Sequence, residues 1–215
     1  MSVLFATKTW EGDYNQFLKN AFKNKWKPFG YQFDAKWLLV NNGVPKETYY
    51  YLKADQKVDV SEYEDIVLKH FKLKKRDFEG GYVYSIGELT AIFLASRFDY
   101  LCWVQGDCLL KDAKGFVEKA IAILENNPHI LVVSPLSEVN TWHNDKGLDH
   151  FFSDQCFFIK VSEFNKPIYH YKKPELTEYP THGGNSFERM VGRYLHKTKK
   201  FRKILTDYYL IHEAY

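Results

Sequence analysis

The chain is 215 residues long, which suits one good-sized domain with a buried core and is cramped for two. Hydrophobic content of 45% and charged content of 27% are those of a globular chain, and a net charge of only +3 excludes the strongly basic balance of a nucleic-acid binder. Three scattered cysteines, Cys102, Cys108 and Cys156, form no CxxC or Cys/His spacing, which speaks against a disulfide framework and for a reducing compartment.

Residues 3–7 are a short apolar run with β-branched character, read as a buried strand, and no basic leader or cleavage site precedes them. No apolar stretch approaches the ~20 residues that span a bilayer, so the chain is expected to be soluble, and its cysteine usage fits a reducing cytoplasm. Asp13 is placed to cap a helix in which Tyr14, Phe17, Leu18, Ala21 and Phe22 share one face. Residues 37–41 form a second strand, closed by Asn41-Asn42-Gly43. Strand, helix, strand opens a parallel sheet with right-handed crossovers. Ser61-x-x-Glu64 resembles a capping box ahead of 66–71, a run that reads equally as helix or strand. Gly80-Gly81 breaks the chain, and 87–97 then predicts a helix with Leu89, Ile92 and Phe93 inward. Residues 100–104 are a strong buried strand; Asp112 is placed to cap a helix to about 125; 130–134 is a strand stopped by Pro135. Residues 138–152 show no period, 157–161 read as a strand, and 168–184 are a loop rich in Tyr, Pro and His. Asn185 opens a helix with Phe187, Met190, Val191, Tyr194 and Leu195 on one face, and 204–211 is the last strand. The expected fold is α/β: a single Rossmann-like domain with a mostly parallel central sheet flanked by helices. Its regular first half, about 1–110, would bind a nucleotide, and its irregular second half, about 111–215, an acceptor.

Ligands of open parallel sheets sit beyond the carboxyl ends of the strands, so the polar residues there carry the candidate chemistry. These are Thr7, Lys8 and Thr9 after the first strand, Asn41 after the second, and Gln105-Gly106-Asp107 after the central one. A diphosphate brings about two negative charges that a low-dielectric cleft rejects uncompensated. A divalent cation on Asp107 would bridge protein and phosphates; the plain alternative is an Asp that begins a turn. No GxxxxGKS or GxGxxG loop is present, which argues against a P-loop NTPase and a dinucleotide dehydrogenase and leaves phosphate binding to a metal. Asp154 and Glu188 are candidates for taking a proton from an acceptor hydroxyl. Asp154 reads alternatively as a loop carboxylate holding backbone N–H groups, and Asn185-x-x-Glu188 as a capping box. His212, after the last strand, is a candidate metal ligand or phosphate partner. The aromatic share of 18% suits a sugar-binding cleft, although a packed core accounts for most of it.

Taken in order, these segments resemble the GT-A class of nucleotide-sugar glycosyltransferases over nearly the whole chain. The segment 99–110 (DYLCWVQGDCLL) is similar to the strand bearing that class's Asp-x-Asp motif, 153–159 (SDQCFFI) to an acceptor-side strand, 182–195 to the helix bearing the catalytic acid, and 208–212 to a C-terminal histidine ligand. Within the class the chain resembles the small glycosyltransferase domain that chlorella-type large algal viruses encode for decorating capsid glycans. One departure is clear: Gln105 stands where the first acid of Asp-x-Asp belongs. The resemblance implies a UDP-sugar donor, Mn2+ or Mg2+ held by Asp107 and His212, and transfer of a hexose or deoxyhexose to an oligosaccharide or glycoprotein. It further implies a uridine site from Thr7, Lys8, Thr9 and Asn41, with Tyr84 or Ser85 near the base or ribose and Gln105 bonded to a ribose or a metal-bound water. Asp154 or Glu188 would activate the acceptor. Competing expectations are a sugar-phosphate nucleotidyltransferase, which lacks here its Gly-rich basic loop, and a non-catalytic carbohydrate-binding module. The chain stops three residues after His212, which leaves open a domain cut from a longer protein.

Overall fold

The computed structural model describes residues 1–9, 24–41, 54–78, 81–137, 147–169 and 186–212. The expected helix over 14–22, Trp142, His143, His182 and most of the loop over 168–184 lie outside these residues.

The first half runs β1 (Val3–Thr9), β2 (Ala35–Val40), β3 (Gln56–Asp59), α1 (Glu64–His70), α2 (Tyr82–Leu94), β4 (Tyr100–Val104) and β5 (Cys108–Leu110). The second half runs α3 (Phe116–Asn126), β6 (Ile130–Ser137), β7 (Leu148–Asp149), β8 (Cys156–Lys160), α4 (Phe187–Thr198) and β9 (Phe201–His212). The strands join one sheet in the order β3-β2-β1-β4-β8-β6-β9-β5, with β7 also on β9. From the pairings, β1, β2, β3, β4, β6 and β9 point one way while β5, β7 and β8 run against them. This is the α/β, mostly parallel, Rossmann-like arrangement that the strand spacing predicts.

Both faces of the sheet are covered, which is why its central strands read as continuous apolar runs rather than alternating ones. Leu4, Ala6, Trp37, Leu39, Leu101 and Trp103 face α2 and α4, whose Leu89, Ile92, Phe187, Met190 and Val191 complete one core. Val3, Phe5, Leu38, Val40, Tyr100 and Cys102 face the other way, against Phe29, Phe33 and the Phe116, Val117 and Ala120 side of α3.

Several boundaries differ from expectation for identifiable reasons. Residues 66–71, readable as helix or strand, belong to α1, and Asp59 rather than Ser61 provides the nearby cap, accepting from Ser61 N–H. Helix α2 begins five residues before Gly87. Gly87 is tolerated inside it because the helix passes close over β1 and β2: a Cβ there would meet Asn41 Oδ1 at 3.1 Å and Lys8 Cδ at 3.2 Å. Gly81 lets the starts of α2 and α4 touch, since its added Cβ would fall 2.9 Å from Ser186 Cα. Asp112 accepts from Lys114 N–H in the turn before α3, but the N-cap is Gly115, at φ 81°. Pro135 does not stop β6, which continues to Ser137 through a register irregularity placed at Pro135 and Leu136. A bulge is where a strand tolerates a residue without an N–H.

Candidate active site

The chain leaves β4 at Gln105, whose N–H donates to Gln155 O at 2.8 Å, turns through Gly106 and Asp107, and re-enters the sheet as β5. Strand β5 lies antiparallel to β9 with Cys108 opposite His212. That register brings together two residues 105 apart: His212 Nε2 lies 3.0 Å from Asp107 Oδ2. Asp107 is buried to 8% exposure, and the His212 side chain remains about one-third exposed at 31%. Cys108 Sγ lies 3.5 Å from Asp107 Oδ1, so ligand atoms of Asp107, Cys108 and His212 all fall within 4.8 Å of one another. Burial, with the Asp107 charge behind it, pushes the Cys108 thiol well up, which leaves it neutral. The effective donors are therefore a carboxylate oxygen and an imidazole nitrogen. Two such donors suit Mn2+ or Mg2+, which keep further positions for water and phosphate oxygens. Beside them the side-chain oxygens of Gln105 and Gln155 are buried without a partner, which is what a binding edge awaiting a polar ligand presents.

Asp154 lies two residues before the start of β8, and because β8 runs antiparallel to β4 it arrives at the same sheet edge as Asp107. Burial raises its carboxyl above the ordinary value, Lys8 opposes this, Asp107 adds to it, and His212 also opposes. Glu188, in the first turn of α4, is pushed up to about 8 by burial and then by Asp154, with Arg202 and Arg189 opposing. Both side chains keep a partial opening to solvent although protein surrounds them. The N-cap of α4 is Ser186, whose hydroxyl accepts from Arg189 N–H; Asn185, the first residue of the expected capping box, lies outside the described residues.

A third carboxylate was not singled out by sequence reasoning. Glu88 is fully buried, 2.5 Å from the Lys8 ammonium, and is raised to about 7 by burial, with Lys8 opposing and Asp154 adding. Its signal in the sequence is that it is the sole charged residue of α2.

On the donor side, Thr7, Lys8 and Thr9 do not follow β1 but form its last three residues, all buried. The strand is two residues longer than expected because its flanks are covered on both faces. The Lys8 ammonium donates to Glu88 and to Tyr84 O at 2.7 Å, which binds it into the fold. Asn41 lies just past β2; its N–H donates to Thr9 O, its amide group donates to Val83 O at 3.0 Å, and its Oδ1 is buried without a partner, as is Thr7 Oγ1. Ser85 is buried, donating to Gly81 O at 2.6 Å and accepting from Phe187 N–H at 2.8 Å, so its hydroxyl joins α2 to α4. Tyr84, half-exposed, is the neighbour that faces outward. A cavity of about 40 Å3 opens beside Asn41, Tyr82 and Val83. Hollows of about 400 and 620 Å3 elsewhere are lined by none of Asp107, Asp154 or Glu188.

No family model matches the chain, and no curated protein sequence matches it. Solved structures do. Mouse xyloside xylosyltransferase 1, in its apo form, is 10% identical with a TM-score of 0.51, covering 95% of this chain and 85% of that one. Residues 1–349 of TarS from S. aureus are 10% identical with a TM-score of 0.53, covering 97% of this chain and 60% of that one. The same TarS fragment in complex with UDP-GlcNAc is 12% identical at a TM-score of 0.50, covering 97% and 58%. The chain thus spans about three-fifths of the TarS fragment and most of the xylosyltransferase. At these identities the likeness is one of fold, and that fold, a GT-A-like α/β domain, is the one these nucleotide-sugar glycosyltransferases share.

Proposed function

We propose that the chain is a metal-dependent glycosyltransferase that moves a hexose or deoxyhexose from a UDP-sugar to a hydroxyl of a glycan or glycoprotein acceptor. The observation that carries this reading is the pairing of Asp107 with His212 at the carboxyl edge of the parallel strands, beside two carboxyls of raised affinity for protons. The likeness in fold to a glycosyltransferase solved with UDP-GlcNAc supports a UDP-sugar as donor. The resemblance to viral capsid-decorating domains supports a glycan acceptor.

Asp107 and His212 would hold Mn2+ or Mg2+, which when bound offsets the diphosphate charge. Residues up to about 110 supply Thr7, Asn41 and Gln105, whose unpartnered buried oxygens are suited to a ribose or base, with Tyr84 at the rim. Residues after 110 supply the acceptor side. Asp154, whose affinity for a proton is raised by burial although Lys8 and His212 oppose it, takes the acceptor hydroxyl proton. Glu188, protonated at neutral pH, donates a hydrogen bond that orients the same acceptor. The new glycosidic C–O bond forms as the sugar–phosphate bond breaks, and UDP leaves.

The test is a thermal-shift panel of UDP, GDP and CMP, each with and without Mn2+, on wild type and Asp107→Ala. A ligand that binds the native state raises its apparent stability by mass action. UDP should stabilise the wild type more with Mn2+ than without, and Asp107→Ala should lose the Mn2+ increment. Binding that ignores both metal and Asp107 would overturn the reading. Pyrophosphate release from UTP and a sugar phosphate would instead mark a nucleotidyltransferase.

A further inference from the structure

Beneath the turn that carries Asp107 lies a lysine that sequence reasoning did not single out. Lys25 is fully buried, and its ammonium donates to Gly106 O and, at 2.8 Å, to Cys108 O. These two carbonyls flank Asp107 on either side along the chain. We infer that Lys25 is a positioning residue for the cation site: by gripping the carbonyls before and after Asp107 it fixes the turn so that the Asp107 carboxylate faces His212. This rests on the proposed cation reading above.

The geometry follows from peptide planarity. A trans peptide points its C=O and the next N–H in opposite directions, so drawing Gly106 O toward Lys25 turns the Asp107 N–H away from it. A second grip at Cys108 O holds the Cys108–Leu109 peptide, one residue further on, and the start of β5 with it. Asp107 and Cys108 thus lie between two held peptides, which narrows the torsions open to the turn. Its carboxylate then meets His212, which the Cys108–His212 register has already placed. Lysine suits this task because its three donors diverge from one atom and reach two carbonyls at once.

A direct role on phosphate does not fit, because the ammonium is sealed from solvent and aimed at backbone oxygens. The Lys25 segment docks on the same region by a separate contact, Ala113 N–H to Pro28 O at 3.1 Å, so the grip belongs to a broader attachment of residues 25–29. Removing the ammonium alone therefore leaves that attachment in place. The effect expected is on cation affinity, because groups that orient a metal's ligands typically change affinity by about 10- to 100-fold when removed.

Mn2+ binding is read by the loss of the free-ion electron paramagnetic resonance signal in wild type, Lys25→Met and Lys25→Gln. UDP binding in EDTA and thermal melting in EDTA are measured beside it. Both variants should melt cooperatively and bind UDP in EDTA as wild type does, while Mn2+ affinity falls about 10- to 100-fold in Lys25→Met. Lys25→Gln, which keeps donors but shortens the reach, should fall between. In an Asp107→Asn background the Lys25 substitutions should have no further effect on Mn2+. Wild-type Mn2+ affinity in both variants overturns the inference alone. Wild-type protein that takes up no Mn2+ overturns the cation reading and this inference with it. Failure of both variants to fold makes Lys25 a residue of the core and overturns the inference as well.

Discussion

At the residue scale the site is a set of acids held apart in their protonation. Asp154→Asn should lower kcat by about 10²- to 10⁴-fold with a smaller change in donor binding, because a general base acts mainly in the transition state. Steady-state kinetics with varied donor checks this. Glu188 leads to a linkage prediction. Its ordinary carboxyl value is 4.5 and its folded value about 8, so between these limits the folded chain binds the extra proton. Stability from this group is complete below about pH 4.5 and is lost as pH rises through 8. Glu88, raised to about 7, acts in the same direction over a narrower window. The metal-free protein should therefore melt at falling temperature from pH 5 to pH 8, and Glu188→Gln should flatten that decline. Asp107, Asp154, Glu188 and His212 were visible in the sequence because each sits beside the end or the start of a recognisable element. Lys25 was not, since burial and a partner distant in the chain define it, and Glu88 left only the mark of a lone charge in an apolar helix.

At the scale of elements, the Lys8–Glu88 pair joins β1 to α2 across the sheet face. Removing the carboxylate leaves the buried Lys8 ammonium without its counter-charge, so above pH 7, where Glu88 is ionised, Glu88→Gln should cost about 3–5 kcal/mol in denaturant unfolding. A double substitution, Lys8→Met with Glu88→Met, should recover most of that loss, because two apolar side chains carry no desolvation penalty. The strands were the legible elements: β4 falls on the expected residues, and β1, β2 and β8 shift only at their ends. Capping was the least legible. At α1 and α3 the expected residue is not the cap and no side chain takes its place, while at α4 the hydroxyl of Ser186, which lies against Gly81, meets the free N–H.

At the scale of the whole molecule, one sheet carries Asp107, Asp154 and His212 to a common edge and α4 adds Glu188, with chemistry drawn from both halves of the chain. Asp107 comes from the first half, and Asp154, Glu188 and His212 from the second. Among the described residues no helix is long and apolar enough to cross a membrane. Strand β9 runs from Arg202, bonded twice to Asp149, to His212 beside Asp107. Where β6 advances from Pro135 to Leu136, β9 advances from Leu205 to Tyr209, so Thr206, Asp207 and Tyr208 have no counterpart across the ladder. They are anchored on α3 instead, Asp207 on Lys119 at 2.6 Å and the Tyr208 ring on Phe116. Because side chains of a strand alternate sides, that excess sets the parity with which the imidazole emerges at the far end. Deleting Thr206 should leave the ladder's beginning intact yet turn His212 away from Asp107, so that Mn2+ uptake is lost from a protein that still folds. The spacing of three unpaired residues is thus a count on which the proposed cation site would depend, though none of them belongs to it.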